Sequence, residues 1–186
     1  MQQHRKTLLR MACVTSLCAL PACVDGVGGK DDSAAEDEGG LRTIDGPGDT
    51  SGRIDGGAIL DLAWAANSSV ACWPTTEDPN FEGKHVFFAF DQPEQSVLTV
   101  SLQPEAGVDL SLYLLQFGVG AEQLPPEVSG AVSCEAGYDQ SNDSNPGEPE
   151  EARLTATTNP YAVIIGVAGA AGVTQGDFVL SLALEQ

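Results

Sequence analysis

The residues of this chain that could do chemistry are few. Two histidines, His4 and His85, stand against 27 acidic residues. His85 follows Gly83-Lys84 at the head of an aromatic run. A hydroxyl or thiol nucleophile needs a base beside it, and beyond the N-terminal segment His85 is the one imidazole to hand. The chain has no Gly-x-Ser-x-Gly elbow and no His-Glu-x-x-His sequence, so His85 reads as a structural or surface residue. Carboxylate pairs discriminate nothing, because so many acids bring some together by chance. The densest oxygen array is Tyr138–Glu151, where Asp139, Ser141, Asp143, Asn145 and Gly147 alternate and Glu150 lies eleven residues beyond Asp139. Alternating oxygen ligands closed by a carboxylate suit calcium. Ser144 takes the place of the turn glycine in such loops and no helices flank the segment, so a solvated acidic turn is the other reading of Asp139, Asp143, Asn145 and Glu150. Among the aromatics, Trp64 lies in an apolar run and reads as core. Trp73, between Cys72 and Pro74, either packs against a disulfide or, if exposed, contacts a ligand such as a glycan.

Eight basic residues against 27 acidic ones give a net charge of −19. That charge repels phosphate backbones, and no nucleic-acid partner is expected.

The N-terminus carries an address. Basic residues flank an apolar stretch from Met11 to Ala22, too short to span a bilayer, which takes about 20 residues. It ends in Leu20-Pro21-Ala22-Cys23, which resembles the bacterial lipobox. The resemblance implies that residues 1–22 are a lipoprotein signal peptide, and that Cys23 becomes the new N-terminus and carries acyl chains such as palmitate. The alternative is a plain secretory signal cut near Ala22. Val24, rather than Asp, follows the cysteine, which favours the outer membrane over the inner. Arg5, Lys6 and Arg10 leave with the signal, so five of the eight basic residues remain against all 27 acids, a net of −22. An anionic bilayer repels such a surface, so the lipid must hold it there.

With Cys23 lipidated, Cys72 and Cys134 remain as an even pair for an oxidising compartment. A bridge closing a loop of about 60 residues contributes on the order of 4 kcal/mol in the chain-entropy model. Two buried free thiols are the alternative.

The elements that position these residues are short. Residues 23–57 read as an acidic, Gly-rich disordered tether: ten of residues 24–57 are Gly, nine are Asp or Glu, and none is aromatic. Such a composition buries too little apolar surface to offset chain entropy. From 58 to 186 the pattern changes to eight candidate strands: Ile59–Ala65, His85–Phe90, Ser96–Gln103, Asp109–Gln116, Val128–Cys134, Ala152–Thr158, Tyr161–Val167 and Asp177–Glu185. Phe178, Leu180, Leu182 and Leu184 share one face of the last, a period-two pattern. Turn residues separate the runs and no helical period appears. The expected fold is all-β, an antiparallel, jelly-roll-like β-sandwich.

Five of these segments occur together in a known family. They are His85-Val86-Phe87-Phe88-Ala89-Phe90, Leu98-Thr99-Val100-Ser101-Leu102, Val108-Asp109-Leu110-Ser111-Leu112-Tyr113-Leu114, Pro160-Tyr161-Ala162-Val163-Ile164-Ile165-Gly166-Val167 and Gly176-Asp177-Phe178-Val179-Leu180-Ser181-Leu182. In this order they resemble the bacterial pre-peptidase C-terminal domain, a small β-sandwich appended to exported proteins. The resemblance implies a fold, not a function. The expectation is an exported cell-envelope lipoprotein presenting a non-catalytic binding or structural module, not an enzyme. It would meet the membrane through its lipid, and an envelope or extracellular protein or glycan through its sandwich. An accessory domain that targets a separate secreted hydrolase, or a carbohydrate-binding module, is the alternative.

Overall fold

The computed structural model describes residues 40–70, 72–121, 123–138 and 146–186. The chain runs β1 (Arg42–Thr43), β2 (Gly48–Arg53), β3 (Ala58–Ile59), α1 (Ala63–Asn67), a 3₁₀ helix (Thr75–Asn80), β4 (Lys84–Gln92), β5 (Ser96–Pro104), β6 (Leu110–Gly118), β7 (Ala131–Gly137), β8 (Glu150–Ala156), β9 (Tyr161–Gly169) and β10 (Asp177–Glu185). The larger sheet has the order β1-β4-β9-β6-β7, with β3 on the same edge of β4 as β1. The smaller has the order β2-β10-β5-β8. Every pairing is antiparallel except the two-residue contact of β1 with β4. The sandwich expected from the strand pattern is the observed architecture.

The two sheets differ in how their faces are used, and the sequence reflects it. In the smaller sheet one face meets the core and the other meets water, so β10 alternates: Phe178, Leu180 and Leu182 are buried while Asp177, Ala183 and Glu185 are exposed. The larger sheet is covered on both faces. Phe88, Phe90, Leu112, Leu114, Val163, Ile165 and Val167 pack inward against Leu98, Val100, Leu102, Leu154 and Leu180. Phe87, Tyr113, Leu115, Phe117 and Ile164 point the other way into a second cluster. Burial on both sides is why β6 and β9 read as nearly continuous apolar runs rather than alternating ones.

Three expectations about the elements are corrected. The sandwich does not begin at residue 58. Six residues of the segment read as tether form β2, paired in register with β10 from Arg53↔Asp177 to Gly48↔Leu182. Ile54, fully buried, and Ile44 join the central core. Ladder hydrogen bonds use backbone groups that every non-proline residue carries, so a Gly-rich, acidic strand pairs as well as an apolar one. Gly52 also has a packing reason, since a side chain there would enter the Phe178 ring. Ile59–Ala65 is not one strand. Only Ala58–Ile59 pairs with β4, and Ala63–Asn67 turns helical, with the Asp61 carboxylate accepting the Ala63 N–H at 2.9 Å. A short apolar run does not distinguish strand from buried helix. The strand placed at Val128–Cys134 lies three residues later, after a turn in which the Ala131 N–H donates to the Val128 carbonyl at 2.9 Å.

A buried amide pair crosses between the sheets. Gln92 at the end of β4 donates from Nε2 to the Leu154 carbonyl on β8 at 3.0 Å, and its Oε1 accepts from Gln116 Nε2 at 2.7 Å. Both glutamines are buried. Gln92→Leu leaves the Gln116 amide and the Leu154 carbonyl short of a partner. We expect a loss of about 2 kcal/mol, since an orphaned buried polar group costs about 1–3 kcal/mol. A urea midpoint that does not move would show that solvent reaches these groups.

Candidate functional site

The second apolar cluster is roofed by the connection between β3 and β4. Leu62, Trp64, Ala65, Trp73 and Phe81 from this stretch lie over Phe87, Tyr113, Leu115, Phe117 and Ile164 of the larger sheet. The roof is held at three points. Its ends join β3 and β4, which pair with each other. Its middle is fixed by a disulfide from Cys72 to Cys134 on β7, with Cα atoms 5.0 Å apart and a sequence separation of 62. The bridge expected from the even cysteine pair is therefore present.

Aromatic contacts fill the space beneath. Trp73 stacks on Phe81 with ring centroids 3.8 Å apart and planes 9° from parallel. Its indole N–H donates to Asp78 Oδ1 at 3.0 Å. Trp64 meets Trp73 edge-on at 5.4 Å. Trp73 is only 3% exposed, so the ligand-contact reading of this residue is corrected: it fills the cap and no ring face is left for a sugar. The alternative, packing beside the disulfide, is what the structure shows. Trp64 is core, as expected, although on a helix rather than a strand. Among the described residues its buried indole N–H has no acceptor.

At the floor of the cap lies a polar trio. His85, on β4, is 2% exposed. Its Nε2 lies 2.7 Å from the Phe81 carbonyl oxygen, and its Nδ1 lies 2.9 Å from the Tyr113 hydroxyl. A carbonyl only accepts, so Nε2 carries the proton and Nδ1 accepts from the tyrosine O–H. Burial pushes the imidazole down to about 4 from the usual 6.5, against a smaller upward pull from the Phe81 carbonyl. Burial also raises the Tyr113 hydroxyl well above its usual range. Tyr113 lies flat over Gly166 of its neighbour β9, where any side chain would run into the ring. His85 is thus a neutral structural residue with both nitrogens occupied. Its one hydroxyl partner is fully buried, so the pair offers a substrate no approach.

A second polar cluster fixes the crossing from β2 to β3. Asp55 Oδ2 pairs with Arg53 at 2.8 Å, and Oδ1 accepts the Gly176 N–H at 3.1 Å. Arg53 also reaches Asp177 at 3.0 Å, and Lys84 Nζ donates to the Asp55 carbonyl. The Gly176 N–H is the main influence lowering the Asp55 carboxyl below its ordinary range.

Of the remaining expected sites, Cys23, Asp139, Asp143 and Asn145 lie outside the described residues. Glu150 opens β8 and is half-buried. Among the described residues no group of three or more His, Cys, Asp or Glu side chains is arranged to hold a metal ion. Sequence reasoning did not bring Tyr113 and Gly166 to this site. A glycine inside the unbroken apolar run of β9 was the available signal, since such a glycine often marks a close approach.

No family model and no curated protein matches the chain. Solved structures do. The chain is similar to the pre-peptidase C-terminal domain of collagenase from Bacillus anthracis, at 13% identity and a TM-score of 0.43 over 78% of this chain and 96% of that one. It is similar to PliG of Aeromonas hydrophila, a periplasmic inhibitor of g-type lysozyme, at 11% identity and a TM-score of 0.38 over 78% and 97%. It is also similar to CorA of Methylomicrobium album BG8, a surface-associated copper-binding protein, at 11% identity and a TM-score of 0.42 over 78% and 98%. Likenesses at these identities and scores transfer no ligand or partner to this chain.

Proposed function

We propose that this protein is an exported cell-envelope lipoprotein, displaying a non-catalytic β-sandwich of the pre-peptidase C-terminal kind as a binding or structural module. The observation that carries the reading is the Cys72–Cys134 disulfide. It clamps the cap to β7, and disulfides of this structural kind form and persist in oxidising compartments outside the cytosol. The Leu20-Pro21-Ala22-Cys23 sequence adds the address, and the acidic, Gly-rich residues between Cys23 and β1 serve as the spacer. Each buried acyl CH₂ contributes about 0.8 kcal/mol, and several chains on one cysteine hold a protein where a single chain does not. Outer-membrane placement follows from Val24 behind the cysteine. The partner is an envelope or extracellular macromolecule met through the sandwich. With Trp73 inside the cap, a stacked sugar loses its candidate platform.

Intact mass and fractionation of the natively expressed protein, with Cys23→Ser alongside, test the anchor. The expected result is a lipid-sized mass increment and a membrane fraction, both absent from the variant. An unlipidated wild-type protein recovered in the medium or periplasm would overturn the anchor and leave a secreted module.

A further inference from the structure

We propose that the groove beside Asp91, on the outer face of the larger sheet where β4 and β6 end and β9 begins, seats an arginine side chain from a basic segment of a partner protein. This rests on the reading of the sandwich as a binding module and gives that module a contact point. The geometry comes from strand register. Asp91 pairs with Ala162, and Ala162 with Phe117. Ala162 and Phe117 belong to the second apolar cluster, so this row lies on the outer face. Gln92, Tyr161 and Gly118 form the next row, and Gln92 reaches inward to the Leu154 carbonyl. One residue further on, the alternation returns Pro93, Pro160 and Val119 to the side of Asp91. Asp91, Gln92, Pro93, Val119, Pro160 and Tyr161 line a groove of about 270 Å³.

The lining sets the chemistry of the occupant. Val119 is 68% exposed, one of three large apolar side chains so exposed among the described residues. Pro93 is half-buried and Pro160 exposed. Two proline rings and a valine make apolar walls that offer no side-chain donor. The charged member is Asp91, which is exposed and whose carboxylate takes part in no ion pair or side-chain hydrogen bond among the described residues. Space of this size falls just short of the roughly 300–1,000 Å³ of small-molecule sites, so it suits one long side chain rather than a whole metabolite. Arginine matches both features. Its stem lies along apolar surface while its planar guanidinium pairs N–H groups with a carboxylate.

The cation must come from outside. The described residues hold four Lys and Arg side chains, and each is engaged elsewhere. Arg42 lies over the Phe88 ring, and Arg53 pairs with Asp55 and Asp177. Lys84 donates to the Asp55 carbonyl, and Arg153 lies 3.9 Å from Glu185. The loops that close this end of the sandwich, residues 44–47, 93–95, 119–130 and 157–160, carry Asp45, Glu94 and Glu127 and no Lys or Arg. Complementary charge steers association and suppresses wrong partners. This end therefore draws a basic segment and repels a second copy of the same acidic chain.

The probe is the end-blocked peptide Ala-Arg-Ala, with Ala-Gln-Ala as its uncharged counterpart, titrated into the isotope-labelled full chain and followed by amide NMR. The expected result is a set of shifts gathered at Asp91, Val119 and Tyr161 with the arginine peptide and none with the glutamine one. Asp91→Asn should weaken binding about five-fold, the upper range for an exposed ion pair. Val119→Ser should weaken it about as much through lost apolar contact, with no change of charge. Glu151→Gln, at an exposed carboxylate on the smaller sheet, should leave it unchanged. All three positions are exposed, so the variants keep the fold. An equal loss in Glu151→Gln would mean diffuse attraction to an acidic surface and would overturn the groove. So would the absence of shifts at millimolar peptide, or shifts at Asp91 and Val119 that track protein concentration alone, the mark of a second copy. Shifts confined to another surface, such as Val97 and Thr99 of β5, would overturn the groove and leave the binding module standing.

Discussion

Replacing Cys72 and Cys134 together by alanine lowers the unfolding free energy by about 4 kcal/mol, on the loop-entropy scale for their sequence separation of 62. The physical reason lies in what the bridge joins. The cap is short in regular structure, with a five-residue helix and a six-residue 3₁₀ helix. Neither helix is long enough to be stable alone, so the cap stays in place through its apolar contacts, the hydrogen bonds that the Phe81 and Pro79 carbonyls accept from His85 and Ala171, and its one covalent tie. Without the bridge, the unfolded chain regains the freedom of the whole loop, and the cap loses its anchor on β7 at the same time. Urea unfolding with and without a dithiol reductant measures both. The double variant should unfold at lower urea, the reduced wild type should coincide with it, and tryptophan emission should change first. A loss below about 1 kcal/mol would mean that the aromatic contacts alone hold the cap.

The second large effect is expected at Phe81. Phe81→Ala should cost about 4 kcal/mol, in the range of about 3–5 kcal/mol for truncating a buried aromatic residue. The ring is fully buried and stacked on Trp73 at 3.8 Å, and it meets Tyr138 edge-on at 5.5 Å. Its removal leaves a cavity between rigid rings that cannot close on it. The backbone carbonyl of residue 81 still faces His85, so the hydrogen bond to the imidazole survives the loss of the ring. Phe81→Leu should recover more than half of it. A calorimetric or urea midpoint for Phe81→Ala close to wild type would show that the cap collapses freely onto the gap, and that its interior is not close-packed.

Much of the sandwich is legible in the residues. The quoted segments beginning at His85, Leu98, Val108, Pro160 and Gly176 fall on β4, β5, β6, β9 and β10. Period-two patterning marks strands whose two faces meet different media, and β5 and β10 do. β2 escaped notice because its strand character lies in backbone pairing with β10, which no side chain announces. The second half of the Ile59–Ala65 run turned helical because its apolar residues face a sheet surface at one turn's spacing, which a seven-residue window does not resolve. The candidate site was legible only in parts. Cys72, Cys134, Trp73 and His85 were all marked, but as separate features. That they form one cap depends on the roof crossing the sheet over Tyr113 and Gly166, residues 28 or more positions away from His85 in the chain.

Composition, periodicity and the cysteine count determined by themselves an all-β class, an acidic surface and an even cysteine pair, because each is a sum over local choices. The resemblance of Leu20-Pro21-Ala22-Cys23 to a lipobox is likewise local to the sequence. Only the tertiary structure decided that Trp73 is interior, that His85 is neutral, that the sandwich starts near Arg42, and that the larger sheet has two buried faces. Burial, tautomer and partner are properties of what surrounds a residue. Those surroundings come from distant segments brought together across the sheets, and no local pattern carries them.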